Sequence, residues 1–231
     1  MTNEPSFDVI CIGAHPDDVE IGMGATVAKL VSEGKRVAIV DLTNGEPTPN
    51  GTPEMRAAES VEAARLLGVE RRTLSQRNRY LFDTVEARTE LAEVIRELRP
   101  RVLFVPYADD AHPDHIAASS IAIAARFYSK FTKTEMGGEP FFPERIYRYM
   151  AVHLRVIAEP SFIVDVSDHM DTKLAAISAY HSQFSASPAN AGIFELVKQT
   201  GAMWGALGRV QAGEPFFALE PVVLRSIRDL I

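Results

Sequence analysis

The chain contains a single cysteine, Cys11, so no internal disulfide can form and no oxidising compartment is implied. It has no cluster of lysine and arginine, and the formal net charge is −7. Binding to nucleic acid through a basic face is therefore disfavoured, because neutralising phosphates needs concentrated positive charge. The N-terminus lacks a basic region followed by a long apolar run, so no signal peptide is expected. The Ala/Ile-rich stretch from Ile116 to Ala125 is too short to span a bilayer and reads as a buried helix. These absences lead to the expectation of a cytoplasmic protein with neither membrane nor nucleic acid as partner. Internal repeats, low-complexity tracts and a clear linker are missing too, and residues 1–231 are read as one domain.

What is present is an alternation of short apolar runs and helical patterns. Phe7 to Ile12, Arg36 to Leu42 and Arg101 to Val105 read as buried strands, with a weak one near Thr73. Between them the pattern predicts helices over Gly22 to Glu33, closed by Gly34; Pro53 to Leu67, with Thr52 as N-cap and Gly68 as stop; Thr84 to Leu98; and Pro113 to Tyr128. Further on, Arg145 to Val152 and Phe162 to Val166 read as strands, and Asp171 to Phe184 and Ile193 to Gln211 as helices. This order predicts an α/β fold, Rossmann-like, with a mostly parallel sheet covered by helices on both faces. Ligands in such sheets bind beyond the carboxyl ends of the strands. Two long loops, Asn44 to Thr52 and Thr132 to Glu144, are candidate binding loops or lids.

Two polar motifs sit just after strands: Ala14-His15-Pro16-Asp17-Asp18-Val19-Glu20, and His112-Pro113-Asp114-His115. A catalytic zinc takes three protein ligands from histidine and carboxylate and leaves a position for water. Two histidines and one aspartate meet that need, and a second carboxylate can take a proton from the water. Either motif alone reads equally well as a turn or a helix cap. Their joint occurrence at one sheet edge favours a metal site, at the C-terminal ends of the strands. The first strand runs into GAHPDD rather than a Gly-rich GxGxxG turn, so a dinucleotide would lack its phosphate cradle.

The AHPDDVE segment with the later HPDH resembles the LmbE/PIG-L family of zinc-dependent N-acetylglucosaminyl deacetylases. Asp41-Leu42-Thr43 and Asn50-Gly51-Thr52-Pro53-Glu54-Met55-Arg56 resemble the family's substrate loop and its arginine. Lys173, Ala179-Tyr180, Ser182-Gln183-Phe184, Glu214 and Phe216 resemble the branch that deacetylates N-acetylglucosaminyl-malate in bacillithiol synthesis. The resemblance implies that His15, Asp18 and His115 ligate zinc, with iron or cobalt able to take the same ligands. It implies that Asp17 is the general base. His112 would be protonated, stabilising the oxyanion or protonating the leaving amine, and Asp114 would orient His112 and keep it charged. Arg56 would bind sugar hydroxyls. Relatives also imply a homo-oligomer, a hexamer in the malate branch.

Arg79 is a candidate for a substrate carboxylate, and Arg77 is equally close in sequence. Asn78 stands where many relatives carry a sugar-binding aspartate; it can hydrogen-bond hydroxyls but carries no charge. Glu20 and Glu46 read as pocket-border or surface carboxylates. His153, His169 and His181 are isolated in sequence and read as structural or surface residues. Trp204 and the Phe141-Phe142 and Phe216-Phe217 pairs read as packing. The functional expectation is hydrolysis of the acetamide of an N-acetylated sugar, with N-acetylglucosaminyl-malate first. The alternatives are a chitin fragment, another glycoside or an amino-sugar antibiotic precursor, and a metal-binding relative without hydrolysis.

Overall fold

The computed structural model describes residues 5–150, 152–153 and 158–223. One seven-stranded sheet runs through it in the order β3-β2-β1-β4-β5-β7-β6. The strands are β1 (Phe7–Gly13), β2 (Val37–Thr43), β3 (Glu70–Gln76), β4 (Pro100–Val105), β5 (Arg145–Tyr149), β6 (Phe162–Asp165) and β7 (Gly213–Ala218). β1 to β5 pair in parallel, and β7 lies antiparallel between β5 and β6. The expected mostly parallel α/β sheet is therefore found.

The helices are α1 (Asp18–Ser32), α2 (Pro53–Leu67), α3 (Val85–Leu98), α4 (Pro113–Tyr128), α5 (Met170–Ser178) and α6 (Ile193–Gly208). Successive residues of a strand face opposite sides, and β1 serves two cores. Ile10 and Ile12 join Leu91, Ile95, Ile121 and Ala125 of α3 and α4 on one face. Val9 and Cys11 join Val19, Met23 and Val27 of α1 on the other. With both faces covered, β1 and β2 have no solvent side, which is why they read as continuous apolar runs.

Local chemistry sets the helix ends. The Thr52 side chain accepts the Met55 N–H at 3.3 Å, Pro53 occupies the first turn, and Gly68 takes φ 73° at the end of α2. Several boundaries depart from the sequence pattern. α1 starts one turn earlier than expected, at Asp18, and is interrupted at Met23, where φ is −152°. The interruption strands two backbone donors, and the buried Glu214 carboxylate of β7 takes them: Ala25 N–H at 3.2 Å and Thr26 N–H at 2.7 Å. Lys173 of α5 holds the same carboxylate at 2.6 Å. α5 stops at Ser178 rather than Phe184. α6 ends at Gly208, with Arg209 in the left-handed region, so the expected run to Gln211 is cut short and β7 follows. β5 ends at Tyr149, short of Val152.

Strand order reverses at β1: the chain moves outward to β2 and β3, then returns to β4 on the other side. The crevice between β1 and β4 is the place where open sheets of this kind bind ligands.

Candidate metal centre and reaction cavity

Both histidine motifs open onto that crevice, one following β1 and the other following β4. His15 Nδ1 stands 3.3 Å from His115 Nε2 and 3.6 Å from Asp18 Oδ2. His115 Nε2 stands 3.1 Å from Asp18 Oδ1. Metal bonds of about 2.0–2.1 Å at tetrahedral angles give ligand–ligand separations of about 3.3 Å. The two imidazole nitrogens have about that spacing, and with one Asp18 oxygen they form a set of three donor atoms within 4.8 Å of one another that could hold a divalent ion.

The outward ring nitrogens are braced. His15 Nε2 meets Asp114 Oδ2 at 3.1 Å, and His115 Nδ1 meets Asp110 Oδ2 at 2.9 Å. A carboxylate behind a ligating histidine fixes its tautomer and raises its basicity. Asp18 is fixed in turn by the N–H groups of Ala14 and His15, each donating to Oδ2 at 2.9 Å. Burial disfavours every charge here, but the neighbours prevail. The Asp114 and Asp18 carboxylates push His15 up to about 9. Asp18 and Asp110 push His115 up to about 10. The two imidazoles hold Asp18 well below the ordinary carboxylate range.

Asp17 sits at the N-terminus of α1 with φ 108°, a strained value for a residue with a side chain. Its carboxylate makes no cap; instead Arg56 Nη2 of α2 donates to Asp17 Oδ2 at 2.9 Å and also to the Pro16 carbonyl. Burial lifts the Asp17 carboxyl to about 6 against the pull of Arg56. Arg56 Nε and Nη1 are buried without a hydrogen-bond partner, and its guanidinium lies 5.2 Å above the Tyr180 ring.

The structure reassigns Asp114. Its carboxylate faces His15 and accepts the Arg79 N–H at 2.7 Å. His112 caps α4 and accepts the Asp114 backbone N–H on Nδ1 at 3.1 Å. That leaves its proton on Nε2. Burial, with His15 and His115 nearby, pushes His112 down rather than up. The expected charge-holding pair of Asp114 and His112 is thus replaced by a backbone bond, because α4 turns the carboxylate toward β1.

A cavity of about 560 Å³ opens over the cluster, lined by His15, Asp17, Asp18 and His112, by Arg56, Asn78 and Arg79, and by Phe184, Ile193 and Leu196. That is an ordinary size for a small-molecule site. Arg79 lines it, whereas Arg77 lies over the Tyr80 ring at 4.3 Å. The 44–52 loop contributes Gly45, Pro47 and Thr48. The 132–144 loop does not line the cavity: Arg96, at the far end of α3, binds the carbonyls of Met136, Gly137 and Gly138 and holds it at the opposite sheet edge. Glu20 is neither border nor surface; it is fully buried and bonded to Arg71 and Tyr180. Glu46 folds onto Thr48.

Three site residues escaped the sequence reading. Asp110 lies just beyond β4, where a carboxylate at a strand end was the available signal. Arg71 pairs with Asp41 at 2.6 Å and with Glu20 beneath the cluster; one of two adjacent arginines on an edge strand gave little sign of burial. His153, set aside as isolated, lines the cavity with its ring 5.1 Å from that of His115.

The chain matches the family described as GlcNAc-PI de-N-acetylase over residues 10–126. It is 32% identical to a diacetylchitobiose deacetylase of Thermococcus kodakarensis over 79% of this chain and 73% of the relative. A 1D-myo-inositol 2-acetamido-2-deoxy-alpha-D-glucopyranoside deacetylase of Catenulispora acidiphila is 29% identical over 91% of this chain and 88% of its own. The crystal structure of a conserved protein of Thermus thermophilus superposes with a TM-score of 0.88 at 40% identity, covering 96% of this chain and 98% of that one. Sequence, fold and the His-Asp-His cluster agree, and the chain belongs to the GlcNAc-PI de-N-acetylase family of hydrolases.

Proposed function

We propose that the protein hydrolyses the acetamide of an N-acetylglucosamine conjugate, with His15, Asp18 and His115 holding a divalent metal, zinc first. The observation that carries this reading is the pre-set donor triangle, braced by Asp114 and Asp110, with the Asp17 carboxylate beside it in an open cavity. A bound ion supplies Lewis acidity to water and to the acetamide carbonyl.

The chain's own groups do the rest. Asp17 takes the proton of the attacking water and passes it to the amide nitrogen, which leaves as an amine once protonated. His112 presents Nε2–H as a hydrogen-bond donor to the tetrahedral species. Asp114 holds His15 in its tautomer. Arg56 fixes Asp17, and its unpartnered donors suit sugar hydroxyls. Asn78 and Arg79 line the wall where the remainder of the conjugate lies.

N-acetylglucosaminyl-malate is the leading substrate, because Arg79 offers paired donors to a carboxylate. Diacetylchitobiose is the second reading, favoured by the curated relative. An oligomer, hexameric by resemblance, goes with the first. Release of free amine from the malate conjugate, N-acetylglucosamine and diacetylchitobiose by the zinc-loaded protein decides among them. The expected result is a preference for the malate conjugate. A preference for chitobiose keeps the chemistry and moves the substrate, and no release from any of them removes the function.

A further inference from the structure

The motifs account for three imidazoles at the cavity, and the fold brings a fourth. His153 follows β5, the parallel neighbour of β4, so it arrives at the same C-terminal sheet edge as His112 and His115. Its ring lies 5.1 Å from His115 and 5.8 Å from His112, and it lines the same cavity as Asp17 and His15. This placement is built, not incidental. The Asp110 carboxylate that braces His115 also accepts the backbone N–H of Val152 at 3.0 Å and of His153 at 3.4 Å. One buried carboxylate therefore ties the turn carrying His153 to a metal-ligand histidine.

The elements divide the cavity into two flanks. Asp17 is held from the α2 side by Arg56. His112 and His153 are held from the β4 and β5 side, through the start of α4 and through Asp110. A water activated at Asp17 attacks from the first flank, so the negative charge that develops on the acyl oxygen is met from the second. A neutral imidazole always carries one N–H donor, and a preorganised donor at a developing oxyanion is a large catalytic term.

We infer that His153 is a further catalytic residue, a hydrogen-bond donor to the acyl oxygen of the acetamide, standing beside His112. The inference rests on the deacetylase reading. It has a second, substrate-independent readout in acetohydroxamate, which presents a comparable acyl oxygen to a metal-loaded site.

The test compares wild type, His153→Ala and His153→Gln for metal content, turnover of the three N-acetylated sugars, and acetohydroxamate affinity. The expected result for His153→Ala is one equivalent of metal retained, kcat lowered about 10²-fold with little change in KM, and acetohydroxamate bound at least about tenfold more weakly. The Gln variant, which keeps an N–H donor, recovers part of both. If His153→Ala retains wild-type kcat and hydroxamate affinity, or if it loses the metal, the inference is overturned. If wild type is inactive on every sugar while hydroxamate binding still depends on His153, the deacetylase reading fails and the His153 contact stands. Should the Ala variant fail to fold, His153→Phe, which has no donor, takes its place, and a kcat and hydroxamate affinity equal to those of His153→Gln overturn the inference equally.

Discussion

At the scale of single residues, the role proposed for Asp17 as base makes its charge the controlling quantity. A base must be ionised, so activity rises with pH through its pKa. Burial raises that carboxyl to about 6, and Arg56 opposes the rise; a cation at the neighbouring donors opposes it further. We therefore expect an acid limb in kcat/KM at or below about pH 6. Asp17→Asn should lower kcat by about 10²–10⁴ and flatten that limb while metal is retained. Arg56→Met should move the limb upward, since the guanidinium bond to Asp17 Oδ2 is lost. The pH profile of the two variants checks both. Here the sequence was highly legible. The HPDD and HPDH motifs located every donor of the triangle, because their chemistry is local to two strand ends. It was least legible where partners lie far apart in the chain. Nothing near Asp114 says that its carboxylate meets His15, 99 positions away, and nothing near His153 says that β5 delivers it to the cluster.

At the scale of elements, the exact seating of α1 matters, because its first turn carries Asp18. α1 crosses Tyr149 so closely that a Cβ at Gly22 would lie 2.5 Å from the ring. That ring is fully buried, and its hydroxyl donates to the Ile12 carbonyl at 2.9 Å. Neither partner can yield. Gly22→Ala is expected to destabilise the fold by about 1–3 kcal/mol, read as a lower midpoint of thermal or urea unfolding; an unchanged midpoint would mean that α1 is free to shift. Elements with strong local signals, such as α2 with Thr52, Pro53 and Gly68, were readable to the residue. The start of α1 and the whole of β7 were not. The break at Met23 is repaired by Glu214 and Lys173 from distant elements. The Gly-Glu-Pro-Phe-Phe segment carries a proline that weakens its strand signal, although β7 pairs on both sides.

At the scale of the whole molecule, metal and protons compete for one cluster. The carboxylates favour protonated His15 and His115, up to about 9 and about 10 without metal. Ligation needs both imidazoles neutral at the ligating nitrogen, so metal uptake releases protons. Metal affinity is expected to rise with pH across the neutral range, and titrations in two buffers of different ionisation enthalpy should reveal the release. Removing the metal with a chelator should abolish turnover and lower Tm by the linkage amount for the free metal concentration used, with helix and strand content retained, because the Asp114 and Asp110 carboxylates hold both imidazoles without it. No helix among the described residues is long and apolar enough to cross a membrane. The position of β7 has a bearing on how the chain matures. Glu214, near the end of the described chain, closes the break in α1, a helix that begins at Asp18. During synthesis on the ribosome the first motif emerges well before Glu214, which lies 188 positions beyond its partner Thr26, so the helix that the motif opens stays unlocked until β7 has followed it out.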